Sequence, residues 1–428
     1  MADTPDNTRQ QIRRTIDAVW RMESAKLIAT LARMLHDVGL AEELAQDALV
    51  TALEQWPRSG VPDNPGAWLM TTAKHRAIDR LRRHQLQQRK HEELGHEIEL
   101  HQQLHEEDIL DALDDPIGDD MLRLVFTACH PVLSPEARVA LTLRLLGGLA
   151  TDEIARAFLV PEPTIAQRIV RAKRTLAEAD VPYEVPRGEE LVERLSAVLA
   201  VVYLIFNEGY SATAGEHWLR PSLCEDALRL GRVLAELLPQ QAEVHGLVAL
   251  MEIQASRTRA RIGPAGEPIL LLEQDRARWD RLLIGRGLAA LERAERLGAR
   301  GLYTLQAAIA ACHARALRPE DTDWARIAGL YGELARLTGS PIVELNRAVA
   351  LGMLFGPAAG LELVDALADE PRLARYHLLP SVRGDLLFKL GRMEEARSEF
   401  ERAAALTRNE RERALLLERA AGCRMDSR

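Results

Sequence analysis

The sequence predicts an all-α protein, and three observations carry that expectation. The composition is heavy in Ala, Leu, Glu and Arg with only 4% aromatic residues, a balance that favours helices over strands. Apolar residues recur at helical spacing along the N-terminal part of the chain. In the latter half, Gly and Pro break Ala/Leu-rich stretches at short intervals, as in an array of helical hairpins. At 428 residues the chain exceeds one small core, which leaves room for two to four domains.

Bulk properties also bound the setting. The opening MADTPDNTRQ is polar, and the longest apolar run, residues 197–206, is about half a membrane span. The expectation is a cytoplasmic protein with no membrane partner. Cys129, Cys224, Cys312 and Cys423 are scattered without a CxxC pair, so buried free thiols are expected rather than a zinc site or a disulfide framework. No nucleophile and base pair stands out, so neither catalysis nor a cofactor is expected.

Taken in order, residues 12–35 and then Leu40, Leu44, Leu49, Leu53 and Trp56 give two helices before PRSGVPDNP breaks the pattern. A third follows. Asn64 suits its cap and Pro65 its first turn. Leu69, Ala73 and Ala77 fall at i, i+4, i+8, and Arg76, Arg80 and Arg83 at i, i+4, i+7, so the helix has an apolar side and a basic one. Residues 91–117 lack periodicity and read as a linker. In the module after it, Ser134 before Pro135 marks a helix start, and residues 152–158 and those from Thr164 onward frame a short helix, a turn and a longer helix. Thr164 and Gln167 fit a T-x-x-Q capping box. Arg168, Arg171, Lys173 and Arg174 supply positive charge to that second helix, as a helix-turn-helix in a DNA major groove requires.

Net charge is -9, yet residues 74–90 carry seven Lys/Arg and one Asp while residues 91–120 carry twelve Asp/Glu and no Lys or Arg. The basic segment therefore stands out locally. Trp68 and Asn64 beside Lys74, Arg76, Arg80 and Arg83 could serve unstacked bases and a phosphate backbone, the requirements of single-stranded DNA. Core packing is the competing role for Trp68. His91, His96, His101 and His105 lie in the acidic segment, but only His101 and His105 share an i, i+4 spacing, so solvated side chains are expected there and no metal.

Three segments resemble the extracytoplasmic-function branch of the sigma-70 family of RNA polymerase sigma factors. DVGLAEELAQDALVTALEQW resembles the polymerase-binding helix, NPGAWLMTTAKHRAIDRLRR the helix that melts and reads the promoter -10 element, and ATDEIARAFLVPEPTIAQRIVRAKRTL the domain that reads the -35 element. The resemblance implies that Glu42, Glu43, Gln46 and Asp47 meet polymerase core. It places Asn64, Trp68, Lys74, Arg76, Arg80 and Arg83 on the single-stranded -10 element, and Thr164, Gln167, Arg168, Arg171, Lys173 and Arg174 on duplex -35 DNA. Sigma domain 2 would occupy residues 1–90 and sigma domain 4 residues 118–182. Leu159 and Pro163 depart from the family's small turn residues, as Ala166 and Gln167 depart from its usual -35 readers, which bears on promoter preference. A regulator independent of polymerase and a peptide-binding scaffold are the rival readings.

Residues 183–428 exceed a minimal sigma factor. In PSVRGDLLFKLGRMEEARSEFERAAAL, Gly384, Ala396, Phe400 and Ala403 take relative positions 8, 20, 24 and 27 of a tetratricopeptide unit, with Arg408 in place of its final proline. VVYLIFNEGYSAT and LLLEQDRARWD resemble the long extension of one sigma subgroup. Gly209 suits the closure of a helix carrying Asn207 and Glu208. Those two residues, Tyr210, Arg257, Glu273, Gln274, Asp275, Arg276 and Trp279 form a candidate pocket or interface for an unidentified protein or small-molecule partner. The acidic linker is expected to cover the basic helices in the free protein, so neutralising its acids should raise DNA binding at fixed salt in a gel-shift titration; unchanged binding would discard that role.

Overall fold

The computed structural model describes residues 5–92, 117–158, 160–211, 219–264, 266–298 and 300–423, with side chains from residue 11 to 83 and from residue 120 onward. Eighteen α-helices occur among these residues, with no strand longer than an isolated β-bridge such as that of Ile262 with Pro268, so the fold is all-α as expected. None of the described helices is long and apolar enough to cross a membrane. Two compact units divide the chain, Met1–Val201 and Val202–Arg428.

In the first unit, α1 (Pro5–Leu35) packs on α2 (Val38–Ser59) and α3 (Pro65–Glu92). Asp37 caps α2 by accepting from the Leu40 amide at 3.0 Å. Ala41, Leu44, Ala45, Ala48, Ala52 and Trp56 form the buried stripe of α2, and small side chains there let helices approach closely. Leu69, Ala73 and Ala77 are the buried side of α3, as the i, i+4, i+8 spacing predicts. The same α1 also packs on α4 (Ile117–Ala128) and α5 (Pro135–Leu145), which continue into α6 (Thr151–Phe158) and α7 (Glu162–Glu178). Ser134 accepts from the Ala137 amide at 3.3 Å and caps α5.

One helix start differs from expectation. α7 begins at Glu162, with Pro161 as its N-cap residue and no side-chain cap bond. Pro163 sits in the first turn, where its missing N–H costs nothing, and Glu162 meets the positive end of the helix dipole. Thr164 is therefore inside the helix, and the Thr164 and Gln167 capping box is not formed. Leu159 lies outside the described residues, as do His96, His101 and His105; of His91 only the backbone is described.

α8 (Gly188–Tyr210) spans the boundary between the units. It runs through Gly209 rather than ending there. A Cβ on Gly209 would meet the Cys224 amide nitrogen at 2.7 Å, so this glycine permits a close helix approach. The second unit continues with α9 (Pro221–Leu237), α10 (Ala242–Ala255), α11 (Arg281–Arg296), α12 (Leu302–Arg315) and α13 (Trp324–Thr338). Then come α14 (Pro341–Phe355), α15 (Pro357–Ala366), α16 (Leu378–Lys389), α17 (Met393–Leu406) and α18 (Glu410–Gly422). From α13 to α18 each helix packs on the next, which makes a helical-repeat array. Gly384 shows why the repeat pattern has its form: a Cβ there would stand 2.9 Å from the Phe400 ring, and Ala396, Phe400 and Ala403 are all buried around it.

The four cysteines are buried and free, and burial pushes the Cys129 thiol up to about 11 and the Cys224 thiol up to about 12. His313, on α12, is buried against Trp324. Burial first, then Arg257 and Arg276, push its imidazole down to about 3. The unfolded imidazole titrates near ~6.5, so as pH falls below that value the unfolded chain takes a proton that the folded chain refuses. His313 should therefore cost ~1.4 kcal/mol of stability per pH unit from about 6.5 down toward 3. Denaturation of His313→Gln should show a shallower fall across that window than the parent protein; identical slopes would show that His313 does not titrate this way.

Candidate polymerase and DNA interface

The polar positions of α2 do not share one exposed face. Glu43 is exposed, but Glu42 is only 2% exposed. Its Oε1 accepts from Arg144 Nε at 2.6 Å, while Lys173 Nζ pairs with Oε2 and the Gln46 amide also donates to Oε1. Arg144 is further fixed by donating to the Leu149 carbonyl at 3.0 Å. Asp47 pairs with Arg76 of α3 at 3.1 Å, and Arg76 donates to Thr51 Oγ1 at 2.6 Å. Charges expected to face polymerase or DNA thus hold one another. The reason is spatial: α2 lies between α3 and the α5 to α7 segment, so side chains on both its flanks find cations.

Along α3, Asn64 accepts from the Ala67 amide at 3.1 Å and starts the helix, as expected. Trp68 is half-buried and meets the buried Trp56 ring edge-on, centroids 5.4 Å apart. This contact is core packing, yet it leaves part of the indole uncovered. Lys74 is also half-buried; burial, then Arg33, hold its ammonium below the usual lysine range, with Asp120 acting in the opposite direction. Arg80, Arg82 and Arg83 are exposed, and among the described residues none of the three has a carboxylate partner. Arg80 and Arg83 share the face that the i, i+4, i+7 spacing picks out, whereas Arg82, two residues from Arg80, points to another side of the helix.

On α7, Ile165, Ile169, Ala172 and Leu176 form the buried stripe. Thr164, Gln167 and Arg171 lie exposed on other sides of the helix, with Val170 among them at 64% exposure. Arg168 is half-buried and helps to hold the Glu136 carboxyl below its usual range, after the Glu136 backbone and Ser134. Lys173 turns inward to Glu42, and Arg174 pairs with Glu178 at 2.6 Å. Arg171 is the exposed basic residue of this helix left without a carboxylate among the described residues.

Several further bonds connect the elements of the first unit. Arg21 pairs with Glu153 at 2.7 Å, and buried Asp120 takes Arg33 at 2.8 Å and Arg123 at 2.9 Å. Tyr183 donates to the Ala29 carbonyl at 3.0 Å. Burial, then Asp120, push the Tyr183 phenol far above its ordinary value, so it stays a donor.

The C-terminal candidates come together only in part. Tyr210, Arg257, Arg276 and Trp279 form one cluster, joined by Arg261, which the sequence reading did not single out. Glu208 pairs with Arg220, Asn207 bonds to Tyr203, and Gln274 donates to the Ile269 carbonyl at 3.1 Å. Asp275 accepts from the Ala277 amide at 2.9 Å, and Glu273 is exposed. Among the described residues no group of three or more His, Cys, Asp or Glu is placed to hold a metal ion.

Comparison with known proteins adds to this geometry. Residues 20–87 match sigma-70 region 2, residues 123–176 match sigma-70 region 4, and residues 194–295 match a family of unknown function, DUF6596. An uncharacterised protein of Rhizobium meliloti, R00370, is 44% identical over 91% of this chain and 91% of its own length. The probable ECF RNA polymerase sigma factor SigI of Mycobacterium tuberculosis is 25% identical over 41% of this chain and 59% of its own length. The ECF RNA polymerase sigma factor SigK of Mycobacterium ulcerans is 29% identical over 35% of this chain and 78% of its own length. Sigma-70 regions 2 and 4 support a general role in starting transcription, as part of a non-catalytic, polymerase-binding protein. The chain belongs to one family with the Rhizobium protein, and its own architecture is sigma-70 region 2 and region 4 followed by a helical extension.

Proposed function

We propose that the protein is an extracytoplasmic-function sigma factor that binds polymerase core, recognises -35 and -10 elements and starts transcription of a specific gene set. The observation that carries this reading is the set of exposed arginines Arg80, Arg82 and Arg83 on the helix of region 2, unpaired with any described carboxylate in a chain of net charge -9. Cations left free in that way suit a phosphate backbone. Asn64 and the uncovered part of Trp68 lie at the start of the same helix, where unstacked bases could meet them. On α7, Gln167 and Arg171 are the exposed readers for the -35 major groove, Arg being suited to guanine or phosphate.

Domain limits follow from this reading: residues 1–90 for polymerase and the -10 strand, 91–117 as linker, 118–182 for the -35 element, and 183–428 as a tetratricopeptide-like domain that sets activity. Such a protein works in the cytoplasm, on polymerase and promoter DNA, with a further partner for the C-terminal domain. Polymerase can meet Glu43 directly, but it reaches Glu42 only by displacing Arg144 and Lys173. The described form is thus a closed one for that residue.

Run-off transcription with full-length protein and purified polymerase core tests the reading. Promoter-specific transcripts are expected; their absence on a suitable promoter would favour a regulator that acts without polymerase. Arg171→Ala should lower -35-dependent transcription by about tenfold, the scale of one lost base or phosphate contact of ~1–3 kcal/mol, with polymerase affinity unchanged. Loss of polymerase binding in that variant would contradict the division of labour between α2 and α7. Lys173→Ala should cost about 2 kcal/mol of stability in denaturation, since a charged hydrogen bond to a buried carboxylate is lost. The same variant should bind polymerase core more tightly in a fluorescence titration, because one of two competitors for Glu42 is gone.

A further inference from the structure

Between α10 and α11 the chain leaves the helical pattern for residues 256–280, which hold two short 3-10 turns, Thr258–Ala260 and Arg276–Arg278, and the bridge of Ile262 with Pro268. Irregular connections of that length are uncommon in a compact domain, and those that occur usually serve a function. This one is closed at its root. The Asp280 amide donates to the Ser256 carbonyl at 2.9 Å, and the Arg257 guanidinium stands 5.8 Å from the Tyr210 ring centroid and 5.7 Å from that of Trp279.

From that root the segment reaches three separate parts of the second unit. Arg261 lies 3.5 Å over the Tyr210 ring and donates to the Tyr210 carbonyl, at the end of α8. Arg276 donates to the His313 carbonyl at 2.9 Å, the Ala316 carbonyl at 2.7 Å and Thr322 Oγ1 at 3.1 Å. It thereby closes the C-terminal end of α12, where unpaired carbonyls and the negative end of the helix dipole favour a cation. The third point is a hairpin. Its arms are joined by the Ile269 amide donating to the Arg261 carbonyl at 2.9 Å and the Gly263 amide donating to the Glu267 carbonyl at 2.9 Å. Gly266, at the tip with φ +81°, lies against α18: a Cβ there would stand 3.6 Å from Arg411 Nη2.

In a helical-repeat array each repeat ordinarily touches its neighbours alone, so the last helix opens independently of the first. α18 packs on α17 in that way. The hairpin adds a contact that helix order does not supply, from the segment holding the ends of α8 and α12 to the start of α18. That start is itself fixed. Asn409, 1% exposed, caps it by accepting from the Arg411 amide at 3.1 Å and the Glu412 amide at 3.2 Å.

We propose that the hairpin between Arg261 and Ile269 is a clasp that fastens the last helix of the array to its beginning, so that a change at the Tyr210 end is felt at α18. With the clasp closed, the second unit opens as one body; with it released, α18 is held by α17 alone. Two ends joined in this way share a coupling free energy, which gives a partner bound at one end a route to the other. The clasp is independent of the sigma reading and would remain if that reading failed.

Hydrogen exchange of the full chain, read by mass spectrometry, tests the proposal. One variant replaces residues 263–267 by Asn-Gly, a two-residue hairpin turn that keeps the bridge of Ile262 with Pro268 and removes the tip. The other is Arg411→Ala. Both should speed exchange of the α18 amides by about fivefold, with α5 to α7 of the first unit unchanged. Tyr210→Leu, which removes the ring under Arg261, should speed the same α18 amides, an effect that a merely local contact at the tip would not produce. Exchange of α18 at the parent rate in either of the first two variants or in Tyr210→Leu would overturn the proposal, as would a uniform rise across the second unit, the mark of general loosening. If Tyr210→Leu gives no cooperative thermal transition, the shortened hairpin and Arg411→Ala decide.

Discussion

Glu42 is the residue on which the first unit turns. A carboxylate that is 2% exposed must be paired in place, and it is held by Arg144 and Lys173 from two other helices. Apolar packing tolerates volume-conserving rearrangement at modest cost. A buried ion cluster is less tolerant, since its partners lose most of their mutual attraction when displaced. Arg144 gains a second anchor on the Leu149 carbonyl, just ahead of the helix-turn-helix. The α5 to α7 segment is thus registered against α2 by charge as well as by apolar area.

The same electrostatics governs which sequence inferences hold. Helix existence was legible because the apolar period of 3.6 records burial directly: Leu69, Ala73 and Ala77 on α3 form the buried side their spacing implies. The caps at Asn64 and Ser134 were legible for a similar reason, being local bonds within three residues. The start of α7 was not, because Pro161 and Pro163 allow a helix to begin before the residue with the best capping side chain. Spacing also divides a helix into faces without saying what each face meets. Glu42 and Lys173 sit at polar positions and still turn inward, because Glu42 and Arg144 are 102 residues apart in sequence and no local pattern encodes their meeting.

In the second unit the legible part was again the local one. Gly384, Ala396, Phe400 and Ala403 form a tightly packed helix pair because the glycine leaves room for the ring. Among the candidates grouped upstream, Tyr210, Arg257, Arg276 and Trp279 do assemble, whereas Asn207, Glu208, Gln274 and Asp275 are committed to neighbours of their own. Arg261 and His313 were missed because each looks ordinary in sequence. Their unusual surroundings arise from segments between about 37 and 51 residues distant, as the bonds from Arg276 to His313 and from Arg261 to Tyr210 show.

The pairing of Arg76 with Asp47 bears on how α3 would hold a nucleic-acid strand on the proposed reading. Each cation that neutralises a nucleic-acid phosphate releases condensed counterions, so the count of free cations fixes how steeply affinity falls with ionic strength. Arg80, Arg82 and Arg83, the free cations among the described side chains of α3, would together contribute about -2 to the exponent for a single strand, or roughly a fourfold loss per doubling of salt. If α3 holds an opened strand as proposed, its described charges would grip that strand weakly and the hold would change little with ionic strength. On that proposal, residence on a promoter would rest mainly on the duplex contacts and on polymerase.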